Sequence, residues 1–319
     1  MGVFTHIDKE NLKLFLKSYN FTDINSFMGI NEGIQNTNYK IKLDLKDFIL
    51  TIYENIDDKN DLKFFLNLMN HLSSRGIKCP IPLKNSSSKM IGKIKTKPAA
   101  LLTFLGGKSI IQIREIHTYQ IGKALAELHL GGENFKQKRR NELSIDGWQK
   151  LLIKNKNKLN KLESRLFNKI KNKIIEIEGN WPKDLPSGII HADLFPDNVL
   201  FTNNKITGLI DFYFSCNDFF VYDLSICINA WCFDDNNEFK KGRFLNLIKG
   251  YESIRPLSSN EISSIPILCY GSSLRFLLTR VDNWKNDNEL DIVNYQDPSE
   301  FLKKFEFHEL NKDTEAYNI

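Results

Sequence analysis

Apolar residues fall at helical spacing almost as soon as the chain begins. In IDKENLKLFLKSYN, Leu12, Phe15, Leu16 and Tyr19 share one face and Asp8 stands in the capping position, so a short helix is expected. The rhythm then changes to every second residue. Tyr39, Ile41 and Leu43 in NTNYKIKLDL, and Phe48, Leu50 and Ile52 in KDFILTIYE, predict a β-hairpin around a polar turn at 44–47. Helical spacing returns in DDKNDLKFFLNLMNHLSSRG, with Leu62, Phe65, Leu66, Met69 and Leu72 on one stripe and Gly76 as the stop. Proline punctuation follows in CPIPLKNSSSKMIGKIKTKPAALLTFLGG, which holds two further strand candidates, the second ending at Gly106-Gly107.

From residue 113 onward helical patterns dominate, in REIHTYQIGKALAELHLGG and then GWQKLLIKNKNKLNKLESRLFNKIKNKIIEIEG, interrupted by a strand pair around 189–211. A β-rich first third before a mainly helical remainder predicts an α+β fold of two lobes with a cleft between them. The expected boundaries are 1–102 and 103–319.

Composition narrows the class. With 41% hydrophobic and 26% charged residues the chain has the make-up of a folded globular protein. The formal charge of +5 is small, and the lysines are spread along helix faces without interleaved aromatics, so no nucleic-acid partner is expected. Cys79, Cys216, Cys227, Cys232 and Cys269 show neither CxxC nor Cys/His spacing, which argues for buried thiols and against a disulfide framework or a zinc site. The opening MGVFTHIDKENLKLFL lacks an uninterrupted apolar core, and position 6 is His where a myristoylation motif has Ser or Thr. The longest apolar run, FFVYDLSICINAWCF, is interrupted by Asp223 and Asn229 and is too short to span a bilayer. A cytoplasmic protein without a membrane partner is expected.

The densest chemistry lies in GIIHADLFPDNVLF and, after a turn, GLIDFYF. Two apolar flanks surround a polar loop, and a compact hairpin beyond it is expected to bring Asp193, Asn198 and Asp211 to one end of the same small sheet. Oxygen donors of that kind suit Mg²⁺, a hard cation, and Asp193 would remain to accept or orient a hydroxyl proton. His191-x-Asp193-x₄-Asn198, with the Asp211-Phe212 pair downstream, has the spacing of a kinase catalytic loop and its metal aspartate. His191 reads as a brace for the loop.

On these residues the chain resembles the aminoglycoside phosphotransferase and choline kinase superfamily of protein-kinase-like fold, and within it the bacterial homoserine kinases. The similarity runs along nearly the whole chain through GVFTHI, NEGIQNTNYKI, FILTIYE, KPAALLTFLGG, IGKALAELHL, HADLFPDNVLF, IDFYFSCNDFFVYDLSICINAWCF and LRFLLTR. The resemblance implies ATP-dependent phosphorylation of the side-chain hydroxyl of L-homoserine, for threonine synthesis. It makes Asp193 the base and Asn198 and Asp211 the Mg²⁺ ligands. The turn from Gly33 through Asn36 to Asn38 would cover the phosphates, and the hinge Ala100–Leu105, with Thr103 and Phe104, would meet adenine.

One position departs from the kinase pattern. The strand that normally carries a phosphate-binding Lys has Thr51 at the matching place, with Lys42 and Lys46 as possible substitutes. A zwitterionic substrate also calls for an acid and a cation or amides. Asp218 is the better acidic candidate. Asp223 is open to two readings, as a substrate ligand or as an acceptor holding the catalytic loop. Arg275 and Arg280 are five apart and point about 140° apart on a helix, so at most one faces a pocket. Trp231 and Trp284 read as core. Another small alcohol as substrate, or a silent kinase-like binder, are the competing functions.

Overall fold

The structure is a computed structural model that describes residues 3–30, 36–54, 59–284 and 297–317. Contacts divide the chain into two compact units: one gathers Met1–Gly107 and Thr207–Tyr213, the other Lys108–Ile206 and the described residues from Phe214 onward.

The first unit contains α1 (Lys9–Lys17), β1 (Ser26–Gly29), β2 (Thr37–Leu43), β3 (Lys46–Ile52), α2 (Lys59–Ser74), β4 (Gly92–Ile94) and β5 (Lys97–Thr103). α1 starts where Asp8 caps it: its Oδ1 accepts the Asn11 amide at 2.7 Å. The strands form an antiparallel sheet in the order β1-β2-β3-β5-β4. Alternation sends Tyr39, Ile41, Leu43, Phe48, Leu50 and Ile52 to one face, where they pack with Leu12 and Leu16 of α1 in a single apolar cluster. Cross-strand partners Asn38 and Thr51, and Lys40 and Ile49, share the opposite face. β1 is an addition to the expected elements; two of its four residues are exposed and two half-buried, so it carries no buried residue to mark it.

The second unit is mainly helical: α3 (Glu115–Gly131), α4 (Ile145–Lys154), α5 (Lys156–Leu162), α6 (Leu166–Gly179), β6 (Ser187–Ile190), β7 (Val199–Thr202), β8 (Lys205–Leu209), β9 (Cys216–Phe219), α7 (Phe220–Trp231), α8 (Lys241–Glu252), α9 (Ser259–Asn283), α10 (Pro298–Leu310) and α11 (Thr314–Tyr317), the unit division running through β8. The lysine-rich helical run is three helices, α4 to α6. It breaks at Asn155, whose amide nitrogen caps Leu151 O at 3.0 Å and reaches Asp282 at 2.9 Å, and again at Arg165, which has φ +65°. The expected single small sheet is two sheets: β6 pairs with β9, and β7 with β8. The polar loop after β6 therefore separates strands that belong to different sheets.

α9 is the one described helix long and apolar enough to cross a membrane, and 72% of its apolar window is buried inside the protein. It packs against α7 and α10. All five cysteines are buried and free.

A buried polar lock fastens α10 and α11 to this bundle. The Asn229 amide nitrogen donates to Cys269 O at 3.0 Å and Ser272 Oγ at 2.9 Å, so its oxygen must accept from His308 Nε2 at 2.8 Å. His308 Nδ1 is then the acceptor for the Tyr317 hydroxyl at 2.5 Å, and Lys304 Nζ donates to Asn229 O at 2.9 Å. This pattern requires a neutral imidazole. Burial, then the neighbouring Lys304 charge, push the His308 pKa down to about 3. Above the unfolded value of about 6.5 the neutral form costs nothing. As pH falls from there toward 3 the unfolded chain binds the extra proton, and stability drops by about 1.4 kcal/mol per pH unit. We expect His308→Gln to remove one proton from the pH dependence of unfolding, measured by denaturant titration between pH 7.5 and 5; equal slopes would contradict the assignment.

Candidate active site

The loop after β6 takes its shape from a turn that an ordinary residue adopts reluctantly. Ala192 has φ +64°, a left-handed conformation costing on the order of 1 kcal/mol, and such strain persists only where the surroundings impose it. Asp223, fully buried in the first turn of α7, imposes it. Its Oδ2 accepts the His191 amide at 2.7 Å and its Oδ1 the Ala192 amide at 2.8 Å. His129 Nε2 donates to Oδ2 at 3.1 Å. Of the two readings of Asp223, the structure thus places the carboxylate inside the protein as the acceptor that holds the loop.

A relay extends behind it. The Tyr251 hydroxyl meets His129 Nδ1 at 2.8 Å, Arg255 Nη1 lies 3.3 Å from that hydroxyl, and Arg255 pairs with Glu261 at 2.8 Å. α3 and α8 can bring His129 and Tyr251 together because Gly122 and Gly250 face each other's helix: a Cβ on either would collide with the backbone oxygen of Leu247 or Tyr119. Burial pushes the Asp223 carboxyl up, but the hydrogen bond from His129, the neighbouring imidazoles and the His191 amide outweigh it, and the group lies below the usual carboxylate range. Burial holds His129 below its ordinary value against the pull of Asp223, which keeps the imidazole neutral and the carboxylate ionised.

Beyond Ala192 the loop presents its chemistry. Asp193 is half-buried. The Asn198 side-chain nitrogen donates to Asp193 O at 2.8 Å and to Asp193 Oδ2 at 3.1 Å. With the nitrogen so engaged, Asn198 Oδ1 remains as the oxygen donor. The Trp231 indole nitrogen donates to Leu194 O at 2.7 Å, fixing the loop from α7. His191 is buried, and its backbone amide is held by Asp223. His129 and Tyr251 were not foreseen, since no spacing marks a lone polar-tipped residue on a helix; Trp231 is buried as its reading as core expected, and its bond to the loop is the addition.

Asp211 belongs to the first unit and also has a left-handed backbone, φ +63°. Its charge adds to burial in raising the phenol of Tyr213, whose hydroxyl lies 3.0 Å from that of Tyr53. Thr51, 3% exposed, donates to Asn38 Oδ1 at 2.8 Å, so the position of the strand lysine is occupied by a neutral hydrogen-bonded pair. Lys40 instead pairs with Asp47 at 2.8 Å and lies over the Phe104 ring at 4.1 Å, while Lys42 and Lys46 are exposed. Asn36 Oδ1 accepts the Glu54 amide at 3.4 Å, and Thr103 Oγ1 accepts the Ile81 amide at 2.9 Å. Thr103 and Phe104 border a cavity of about 420 Å³ with Asp47 and Lys42. Gly33 lies outside the described residues.

The substrate candidates occupy the second unit. Asp218 accepts from Asn141 Nδ2 at 2.7 Å and from the Phe219 amide at 2.8 Å, and burial raises its pKa. It borders a cavity of about 590 Å³ with Asn217, Ser187 and Lys138. Arg275 is 1% exposed in the middle of α9.

A unit built on a five-stranded sheet and a mainly helical unit that carries a loop of this construction are the parts of a kinase-like phosphotransferase fold, and the chain belongs to the Phosphotransferase enzyme family, whose model matches residues 26–257. Among curated proteins it is 45% identical to a homoserine kinase of Rhizobium etli over 97% of this chain and 96% of the relative. It is 42% identical to a homoserine kinase of Agrobacterium fabrum over 100% and 99%. Solved structures share the fold at low identity. An amicoumacin kinase in complex with AMP-PNP, Ca²⁺ and Ami superposes with TM-score 0.71 at 15% identity, over 97% of this chain and 95% of that one. A spectinomycin phosphotransferase in complex with ADP and its antibiotic gives 0.68 at 18%, over 98% and 100%.

Removing Asp223 leaves two buried amides and an imidazole without their acceptor. Asp223→Ala is expected to lower stability by about 3–5 kcal/mol, and Asp223→Asn, which keeps one acceptor oxygen, by clearly less. Denaturant unfolding of the two variants checks the order.

Proposed function

We propose that this chain is an ATP-dependent kinase of L-homoserine, forming O-phospho-L-homoserine and ADP for threonine biosynthesis, and that it works in the cytoplasm on small molecules. The observation that carries the reading is the pairing of a complete His-x-Asp-x₄-Asn loop, held in working shape by Asp223, with homoserine kinases at 41–45% identity over the length of the chain.

In the proposed reaction the side-chain hydroxyl oxygen bonds to the γ-phosphorus of ATP as the bond to the β–γ bridging oxygen breaks, and the hydroxyl proton passes to Asp193. The Asn198 contact at 3.1 Å fixes the orientation of the Asp193 carboxylate. Holding a base in place before the substrate arrives is the form of catalysis that phosphoryl transfer uses most. The donor set suits Mg²⁺: Asn198 offers the oxygen left open by its inward-facing nitrogen, Asp211 is a carboxylate, and both are hard ligands. When bound, Mg²⁺ supplies charge neutralisation on the phosphates. ATP would rest on the Asn36–Asn38 and Thr103–Phe104 segments of the first unit, with the Thr51–Asn38 pair where other kinases carry a lysine.

The test is ADP release with Mg-ATP and a panel of L-homoserine, L-serine, L-threonine, choline and kanamycin. Selective turnover of L-homoserine is expected. Turnover of another member would replace the substrate, and silence across the panel would overturn the reading. Asp193→Asn should lower kcat by about 10²–10⁴-fold with an unchanged melting temperature; retained turnover would remove Asp193 from the role of base.

A further inference from the structure

We infer that Arg275 binds the carboxylate of the amino-acid substrate. This rests on the homoserine kinase reading and names the group that recognises the non-reacting end of the molecule.

Buried cations in the second unit are otherwise paired. Arg280 has Glu300 at 2.5 Å, and Lys304 has the same carboxylate at 2.5 Å. Arg275, buried more deeply than either, makes no ion pair with a described residue, and its Nε and Nη1 are buried with no hydrogen-bond partner. The neutral Tyr222 hydroxyl is a hydrogen-bonding neighbour of this guanidinium, but two donor groups held out of water without an acceptor remain a standing cost to the fold. Its planar, forked N–H groups match a carboxylate in two parallel hydrogen bonds, a geometry an ammonium cannot reproduce.

Two aromatic rings in sequence connect this cation to the loop that holds Asp193. Its guanidinium carbon lies 4.6 Å from the centre of the Phe276 ring and 5.7 Å from that of Phe214. Phe276 packs edge-on against Phe195, two residues after Asp193, with centroids 4.8 Å apart. The guanidinium also acts on the ionisation of Cys216, the residue paired with Ile190 immediately before His191. Asp218 is the acid within reach of this charge, yet its two oxygens are bonded to Asn141 and to the Phe219 amide. Asp218 therefore balances the charge without satisfying the Arg275 donors. Homoserine separates its hydroxyl from its carboxylate by a short carbon chain, so a carboxylate held at Arg275 keeps the hydroxyl near the loop.

The experiment crosses two enzymes with two substrates: wild type and Arg275→Met, each with L-homoserine and with the linear aminopropanol that homoserine would leave on decarboxylation. Wild type should prefer homoserine strongly. Arg275→Met should lower kcat/KM for homoserine by on the order of 100-fold while changing that for aminopropanol less than about threefold. Its melting temperature should equal or exceed that of wild type, because an unsatisfied buried charge has been removed. Arg275→Lys should recover only part of the loss. Equal losses on both substrates with a lowered melting temperature would make Arg275 structural and overturn the inference, as would unchanged homoserine kinetics. Wild type that ignores homoserine would sink the proposed function itself, a result distinguishable from either.

Discussion

One buried carboxylate sets the geometry on which the rest of the candidate site depends. Asp223 receives two consecutive backbone amides and an imidazole, and the strained left-handed residue between β6 and Asp193 exists because those amides must converge on it. A fully desolvated carboxylate is costly unless its oxygens are saturated, and charge-assisted bonds to fixed donors saturate them here. The second layer follows from the first. His129 can serve Asp223 only as the neutral tautomer that accepts from Tyr251, and Tyr251 reaches it only because two glycines let α3 and α8 approach closely.

The same logic separates the fully paired polar groups of the helical unit from Arg275, for which we propose a substrate role. Asn229, His308, Lys304 and Tyr317 form a connected hydrogen-bonded network, with Glu300 as the acid beside Lys304, and its effect is to fix α10 and α11. Arg275 breaks that pattern at a point where Phe214, Phe276 and Phe195 lead toward the loop. Departures from local satisfaction gather where a protein binds something, because the missing partner arrives with the ligand.

Much of this was legible in the chain. The two-residue alternation of β2 and β3 and the helical stripes of α1 and α2 follow from burial of one face, and they place the apolar cluster of the first unit. The spacing of His191, Asp193, Asn198 and Asp211 is what points to phosphoryl transfer from the chain alone. Periodicity reports which face is buried but not which partner covers it, and the misses are of that kind. Asp223 offered two readings because an acid in an apolar run looks the same whether it meets a substrate or a backbone. The expected single small sheet is two, since strand pairing depends on the return of β9 to β6, and four-residue strands carry too little pattern to announce it. His308 and Asn229 lie 79 positions apart, and their hydrogen bond has no trace in local sequence.

The central claim is that the phosphoryl group passes from ATP to the side-chain oxygen of homoserine. Phosphorus NMR of the product formed by the wild-type protein from Mg-ATP and L-homoserine tests it most directly. The account predicts a phosphomonoester resonance coupled to the two hydrogens of the terminal methylene, growing in step with ADP. Inorganic phosphate alone, or a phosphorus signal coupled to no methylene, would contradict it.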